Sequence, residues 1–221
     1  MDKGELRRRL EMAQAAITDA LALVDAPTQV LLDVPYMSQW GAGADERRGD
    51  CGPACVAMLA QYTWPTAEKI NVDRAAYHCG QPTAGEGAKY TGHKNLRDGA
   101  MFYGIPLHTR SKYRPPILTL DLLKAQVDAN KPSIVLIHYG ILRDSTNATG
   151  FVENQDQNYG RGHWCLFVGY DDRGVYIHDS DFWGQYVNNG KFRFVPTRAF
   201  VSALEAVAPG CSVGNQGLVI A

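Results

Sequence analysis

Apolar positions recur along this chain with two different periods. In residues 3 to 25, Leu6, Leu10, Ala13, Ile17, Ala20 and Val24 alternate at spacings of four and three, predicting a helix that Pro27 closes. The a/d seam covers under three heptads. It either joins two copies of the chain or lies on the domain behind it, and the second is preferred. In "RGDCGPACVAML" every residue from Ala54 to Ala60 is apolar, with no polar face. Such a helix belongs in the centre of a fold. "HKNLRDGAMFYG", stopped by Gly104, and "TLDLLKAQVDAN", with Leu120, Leu123 and Val127 on one face, are further helices.

Extended segments follow a different pattern. "QVLLDVPYMSQW" is extended, with a kink or strand edge at Pro35, and "KPSIVLIHYG" has the continuous apolar run of a buried strand. "HWCLFVGY" and "GVYIHDS" form a hairpin around "DDR" and Gly174, and "KFRFVP" and "GLVI" are later strands. Residues 65 to 116 are mixed and rich in Gly and Pro, and residues 141 to 161 form a polar loop of some twenty residues. A loop that long inside a domain is functional or mobile. Helices come early and strands late, so the class is α+β. The expected division is an N-terminal helix, 1–26, ahead of one domain, 27–221.

Composition narrows the function. Net charge is −1, and the longest basic run is "RRR" at 7 to 9, which suits a solvated helix face better than a nucleic acid. No apolar stretch approaches the ~20 residues of a membrane span. The N-terminal segment is interrupted by Glu11, Gln14, Thr18 and Asp19, so it is no signal-peptide core. Cys51, Cys55, Cys79, Cys165 and Cys211 are odd in number and scattered. That favours reduced thiols and a cytoplasmic location. A zinc site from Cys51, Cys55, His78 and Cys79 lacks the paired ligand spacing, and "ENQDQN" at 153 to 158 lacks the alternating acids of a calcium loop. No metal or cofactor is expected.

The candidate chemistry starts at Cys51. Pro53 suits a first helical turn, which puts Cys51 at or just before the N-cap, facing the positive end of the helix dipole. A thiolate is favoured there. A nucleophilic thiolate needs a base and a group that orients the base. His163 opens a buried strand after "GRG" and the long polar loop, a position where substrates arrive. The hairpin returns "YIHDSDFWG" beside it. Asp179 can accept the imidazole Nδ1–H with Trp183 covering the bond, and Asp181 is the rival carboxylate because the hairpin register is open. Cys55 is core packing one turn further on, His93 and His138 are structural, and Tyr139 and Trp40 are apolar contacts for a substrate chain.

"VPYMSQW", "DCGPACVAML", "GHWCLFVGY" and "YIHDSDFWG", in this order, resemble the papain-like cysteine peptidases. The nearest type is the bacteriocin leader-processing (double-glycine) peptidase and its stand-alone relatives, over roughly residues 30 to 195. The resemblance implies a papain-like fold, with the nucleophile on a buried central helix packed against an antiparallel sheet, and a bacterial or phage source. It further implies Cys51 as nucleophile, His163 as general base and acid, and Asp179 as its orienting carboxylate. The Gln39 side chain, with the Cys51 backbone N–H, would form the oxyanion hole. Gln39 lies twelve residues before Cys51, so "GAGADERR" must loop out. No transporter membrane domain accompanies the motifs, so cleavage at a double-glycine leader is not implied.

The expected activity is therefore hydrolysis of a peptide or amide bond through an acyl-enzyme, with a peptide or protein substrate and no nucleic-acid or membrane partner. Two rivals share the fold: an acyl transferase using the same triad, and a non-catalytic peptide-binding or scaffold protein dimerised through the N-terminal helix.

Overall fold

A computed structural model describes residues 2–24, 29–40, 49–68, 70–81, 91–111, 117–146, 162–182, 184–206 and 216–220. Helix α1 (Lys3–Val24) is followed by β1 (Val30–Leu31) and the apolar helix α2 (Cys51–Thr63). Next come α3 (Val72–His78), α4 (His93–Phe102), β2 (Leu107–Arg110), α5 (Leu120–Asp128), β3 (Ser133–His138) and α6 (Tyr139–Thr146). The hairpin β4 (Gly162–Tyr170) and β5 (Gly174–His178) leads through a 3-10 turn, Gly184–Gly190, to β6 (Arg193–Pro196), α7 (Thr197–Glu205) and β7 (Gln216–Ile220).

The strands form one seven-stranded sheet in the order β2-β7-β3-β4-β5-β6, with β1 beside β4, and every pairing is antiparallel. Helix α2 crosses β3 and β4, and α7 packs on β3, β5 and β6. Residues Cys51 to Ala60 are all buried, so the uninterrupted apolar run of α2 does enter the core. The α+β class and the helix-on-antiparallel-sheet arrangement match the expected papain-like architecture.

Several local expectations change. The first part of the α1 seam is not buried on the domain: Leu6, Leu10 and Ile17 are 44%, 62% and 61% exposed. Residues 139 to 146, assigned largely to a polar loop, are helical, because Tyr139 and Leu142 bury their side chains against the sheet. The rest of that loop, "GAGADERR", "ENQDQN", Trp183 and Cys211 lie outside the described residues. The late part of the chain is not all strand, since α7 inserts a helix whose Ala199, Phe200, Ala203 and Leu204 are buried at helical spacing. Within 65 to 116, α3 and β2 are additional elements. Among the described residues no helix is long and apolar enough to cross a membrane.

Candidate active site

Cys51 is the first residue of α2, with Asp50 as its N-cap, and Pro53 falls in the first turn. The turn before it is anchored to the sheet through Thr91. The Thr91 hydroxyl donates to the Gly49 carbonyl at 3.2 Å, and the Trp164 indole Nε1 donates to the Thr91 carbonyl at 2.9 Å. A Cβ on Gly52 would lie 2.7 Å from Leu96 Cδ2 and 3.2 Å from Trp164 Cδ1. The glycine after Cys51 thus lets the helix tip approach the strand residue that follows His163. No hydrogen bond joins Cys51 to His163 among the described residues.

His163 and Asp179 are brought into direct contact. The ring Nε2 lies 2.8 Å from Asp179 Oδ1, with both side chains buried. The nitrogen engaged is Nε2, not the Nδ1 expected from the sequence. Pairing of Leu166 with His178 fixes the hairpin register and puts residue 179 just beyond the strand end, level with Cys165, which lies two residues after His163 on the same strand. Asp181 is drawn elsewhere: its Oδ1 accepts from Trp40 Nε1 at 2.8 Å.

The Asp179 carboxylate is surrounded. Oδ1 also accepts the Asp181 backbone N–H at 3.1 Å, while Oδ2 accepts from Arg193 Nη1 at 2.6 Å and from the Tyr139 hydroxyl at 3.2 Å. Burial alone would raise the Asp179 carboxyl, but His163, Arg193 and the Asp181 N–H outweigh it and hold it well below the usual carboxylate range. Burial likewise opposes an imidazolium at His163. The adjacent Cys165 sulfur and the Asp179 carboxylate overcome that and lift it well above the ordinary histidine value. Burial pushes the Asp181 carboxyl up to about 6, and the nearby Asp179 adds to it.

Gln39 is 2% exposed and is tied to the residue following Asp179. Its N–H donates to the Ser180 carbonyl at 3.0 Å, and the Ser180 hydroxyl donates to its Oε1 at 2.9 Å. With Oε1 engaged, the Nε2 donors are the part of the amide left for another acceptor. Neighbouring residues extend the stitching. The Tyr36 hydroxyl donates to the Asp179 carbonyl at 2.9 Å, and the Ser38 hydroxyl to the Phe182 carbonyl at 2.6 Å. The segment bearing Gln39 and the segment bearing Asp179 therefore move as one piece.

Ser180, Arg193, Tyr36 and Cys165 were not singled out by sequence. Cys165 had a signal: two residues after His163 in a strand, it shares the same face. So did Arg193, which alternation places on the inner face of β6 with Val195 while Phe194 points outward. Tyr139 is a correction. At 1% exposed, with its ring centroid 4.2 Å from that of His163, it packs against that ring and is buried away from any substrate chain.

Single donor atoms of His163, Cys165 and Asp179 lie within 4.8 Å of one another, donor types that suit zinc. The 2.8 Å hydrogen bond and the filled lone pairs of Asp179 fit a proton relay better than a coordination shell. Cys55 and Cys165 are wholly buried, and burial pushes the Cys165 thiol up to about 11 and Cys79 up to about 12. Cys51, at 8%, is the most exposed of the described cysteines.

The comparisons with known proteins agree with this architecture. A Bacillus anthracis protein described as a C39-like peptidase superposes with a TM-score of 0.55 at 18% identity, covering 87% of this chain and 97% of that one. A double-glycine motif protease from an AMS/PCAT transporter, solved in complex with the leader peptide, gives 0.50 at 16% identity over 88% of this chain and 96% of that one. No curated protein sequence matches. A family model, the peptidase C39-like family, matches residues 31–198. Gln39, Cys51, His163 and Asp179 all fall inside that stretch, and the chain belongs to the peptidase C39-like family.

Proposed function

We propose that this protein is a thiol-dependent hydrolase that cleaves a peptide or amide bond with Cys51, His163, Asp179 and Gln39. The observation that carries the reading is the buried 2.8 Å contact between His163 Nε2 and Asp179, which commits one ring nitrogen and leaves Nδ1 to exchange a proton. The Cys51 thiol gives its proton to Nδ1, and the thiolate attacks the substrate carbonyl, forming a carbon–sulfur bond. Gln39 Nε2 and the Cys51 N–H stabilise the oxyanion of the tetrahedral intermediate, an interaction typically worth ~2.7–4 kcal/mol per donor. As the intermediate collapses, the imidazolium protonates the leaving amine. His163 then takes a proton from water, which hydrolyses the thioester and restores the thiol.

Exposure supports Cys51 over its neighbours, because a nucleophile must meet its substrate and Cys165 and Cys55 are sealed in the core. A peptide substrate is consistent with the relative captured with a leader peptide. The peptidase unit is residues 27–221. Outside it, α1 offers the exposed seam of Leu6, Leu10 and Ile17 to a second copy of the chain. Sedimentation of the full chain beside a Leu10→Lys variant tests that pairing. A monomer in both overturns it.

The test of the chemistry is labelling with a thiol-directed probe at pH 6, followed by a peptide-library cleavage profile with wild type and Cys51→Ala. The expected result is labelling of Cys51 ahead of every other cysteine, and cleavage that the alanine variant loses. Labelling no faster than at Cys55 favours a binding protein. Product joined to an added amine in preference to water favours acyl transfer.

A further inference from the structure

Arg193 sits on β6, directly opposite Ile177 of β5, at the inner face of the sheet. Its side chain is 4% exposed and its Nη1 lies 2.6 Å from Asp179 Oδ2, on the side of the carboxylate away from His163. The guanidinium also lies over the Phe182 ring, 5.8 Å from the centroid. A buried arginine keeps its charge, so a permanent cation is built against the carboxylate that orients the imidazole.

We propose that Arg193 is a positioning residue of this site, a fixed cation that pins the outer oxygen of Asp179 and cancels its charge toward the Cys51–His163 pair. The proposal rests on the functional reading above. Its physical content is a charge count. With Arg193 present, a thiolate, an imidazolium, Asp179 and Arg193 sum to zero, and so do a thiol, a neutral imidazole, Asp179 and Arg193. Proton transfer from Cys51 to His163 then leaves the summed charge of these four groups unchanged at zero, with Asp181 a further acid beside them. Without Arg193 both states carry a net negative charge in a buried space, which disfavours forming a further anion at Cys51 and favours retaining the proton on His163.

Among the described residues, the other ionisable groups facing this cluster do not supply that cation. They are Tyr36, Cys55 on α2, Tyr139 on α6, Cys165 on β4, and Asp181. Each is neutral or acidic. Among the described residues, Arg193 is the positive group in contact with Asp179 besides His163 itself.

The experiment is the pH–rate profile for alkylation of Cys51 by iodoacetamide in the full chain, compared among wild type, Arg193→Met and Arg193→Lys, each first shown to be folded. Arg193→Met is expected to move the acid inflection upward by about one unit, so that labelling below it slows about tenfold. Arg193→Lys keeps the charge and is expected to stay close to wild type. A folded Arg193→Met with an unshifted profile overturns the proposal, as does a lysine variant that shifts as far as methionine. Should Arg193→Met fail to fold, Asp179→Asn/Arg193→Met decides. Recovery of folding in the double variant shows Arg193 acting through Asp179, and no recovery overturns it. A wild-type Cys51 that reacts no faster than Cys55 sinks the functional reading, and this proposal with it. A reactive wild type with an unmoved variant sinks the proposal alone.

Discussion

The hydroxyl of Ser180 donates to Gln39 Oε1 at 2.9 Å, so the residue next to Asp179 also sets which way the Gln39 amide points. Ser180→Ala removes the bond that tells the oxygen of Gln39 from its nitrogen. The expected result is a roughly tenfold fall in kcat with KM nearly unchanged, smaller than the ~10²–10³ loss from Gln39→Ala. Steady-state kinetics on one cleaved peptide checks it, and a loss confined to KM would contradict the role.

Two carboxylates lie within reach of the same histidine, and they separate by partner. Asp179→Asn should lower kcat by about 10³–10⁴, because an amide cannot hold the imidazole tautomer or stabilise its charged form. Asp181→Asn should cost less than about tenfold, since an amide oxygen still accepts from Trp40 Nε1. Parallel kinetics on the two variants reads the contrast. Equal losses would mean that the orienting role is shared.

Gly190 closes the turn that returns to Asp179. The Asp179 N–H donates to the Gly190 carbonyl at 2.9 Å, and a Cβ there would overlap the Asp179 carbonyl oxygen and lie 2.5 Å from the Tyr36 hydroxyl. Backbone cannot yield as a side-chain tip can. Gly190→Ala should cost about 3 kcal/mol of stability, at the upper end for overpacking, together with activity. Denaturant unfolding measures the first.

His178 fastens the Gln39 segment to the sheet from below. Its ring lies 2.8 Å from the Val34 carbonyl through Nε2 and accepts the Phe192 N–H at Nδ1, an arrangement that needs the neutral imidazole. Burial lowers it from 6.5 to about 4. Between those values the unfolded chain binds the proton and the folded chain does not. Stability from this group is therefore complete above pH 6.5 and falls as the pH drops toward 4, by about 3 kcal/mol. Asp179, held low, adds a further loss in the same direction at more acid pH. Unfolding midpoints at pH 7 and pH 4.5 should show the fall, with a shallower slope in His178→Gln.

Much of this was legible in the order of residues because local rules governed it. The apolar run behind Cys51 marked a buried helix, and two apolar runs, "HWCLFVGY" and "GVYIHDS", around the "DDR" turn and Gly174 marked a hairpin. Four motifs in one order carried the family. Other elements were legible but overlooked: α7 shows its Ala199, Phe200, Ala203 and Leu204 stripe in the bare sequence.

What the chain order alone determined is the inventory: a cysteine at a helix tip, a histidine opening a strand, an acid after its hairpin partner, and a glutamine upstream. Tertiary structure decided which acid touches the ring, through which nitrogen, and what surrounds them. Hairpin register alone would put residue 181 level with His163, but the chain leaves the strand after His178, and it is Asp179 that meets the ring. Arg193, Ser180 and Tyr139 converge on that carboxylate and on Gln39 from positions scattered along the chain. Hydrogen bonds and ion pairs act over a few ångströms of space, and only folding sets those distances.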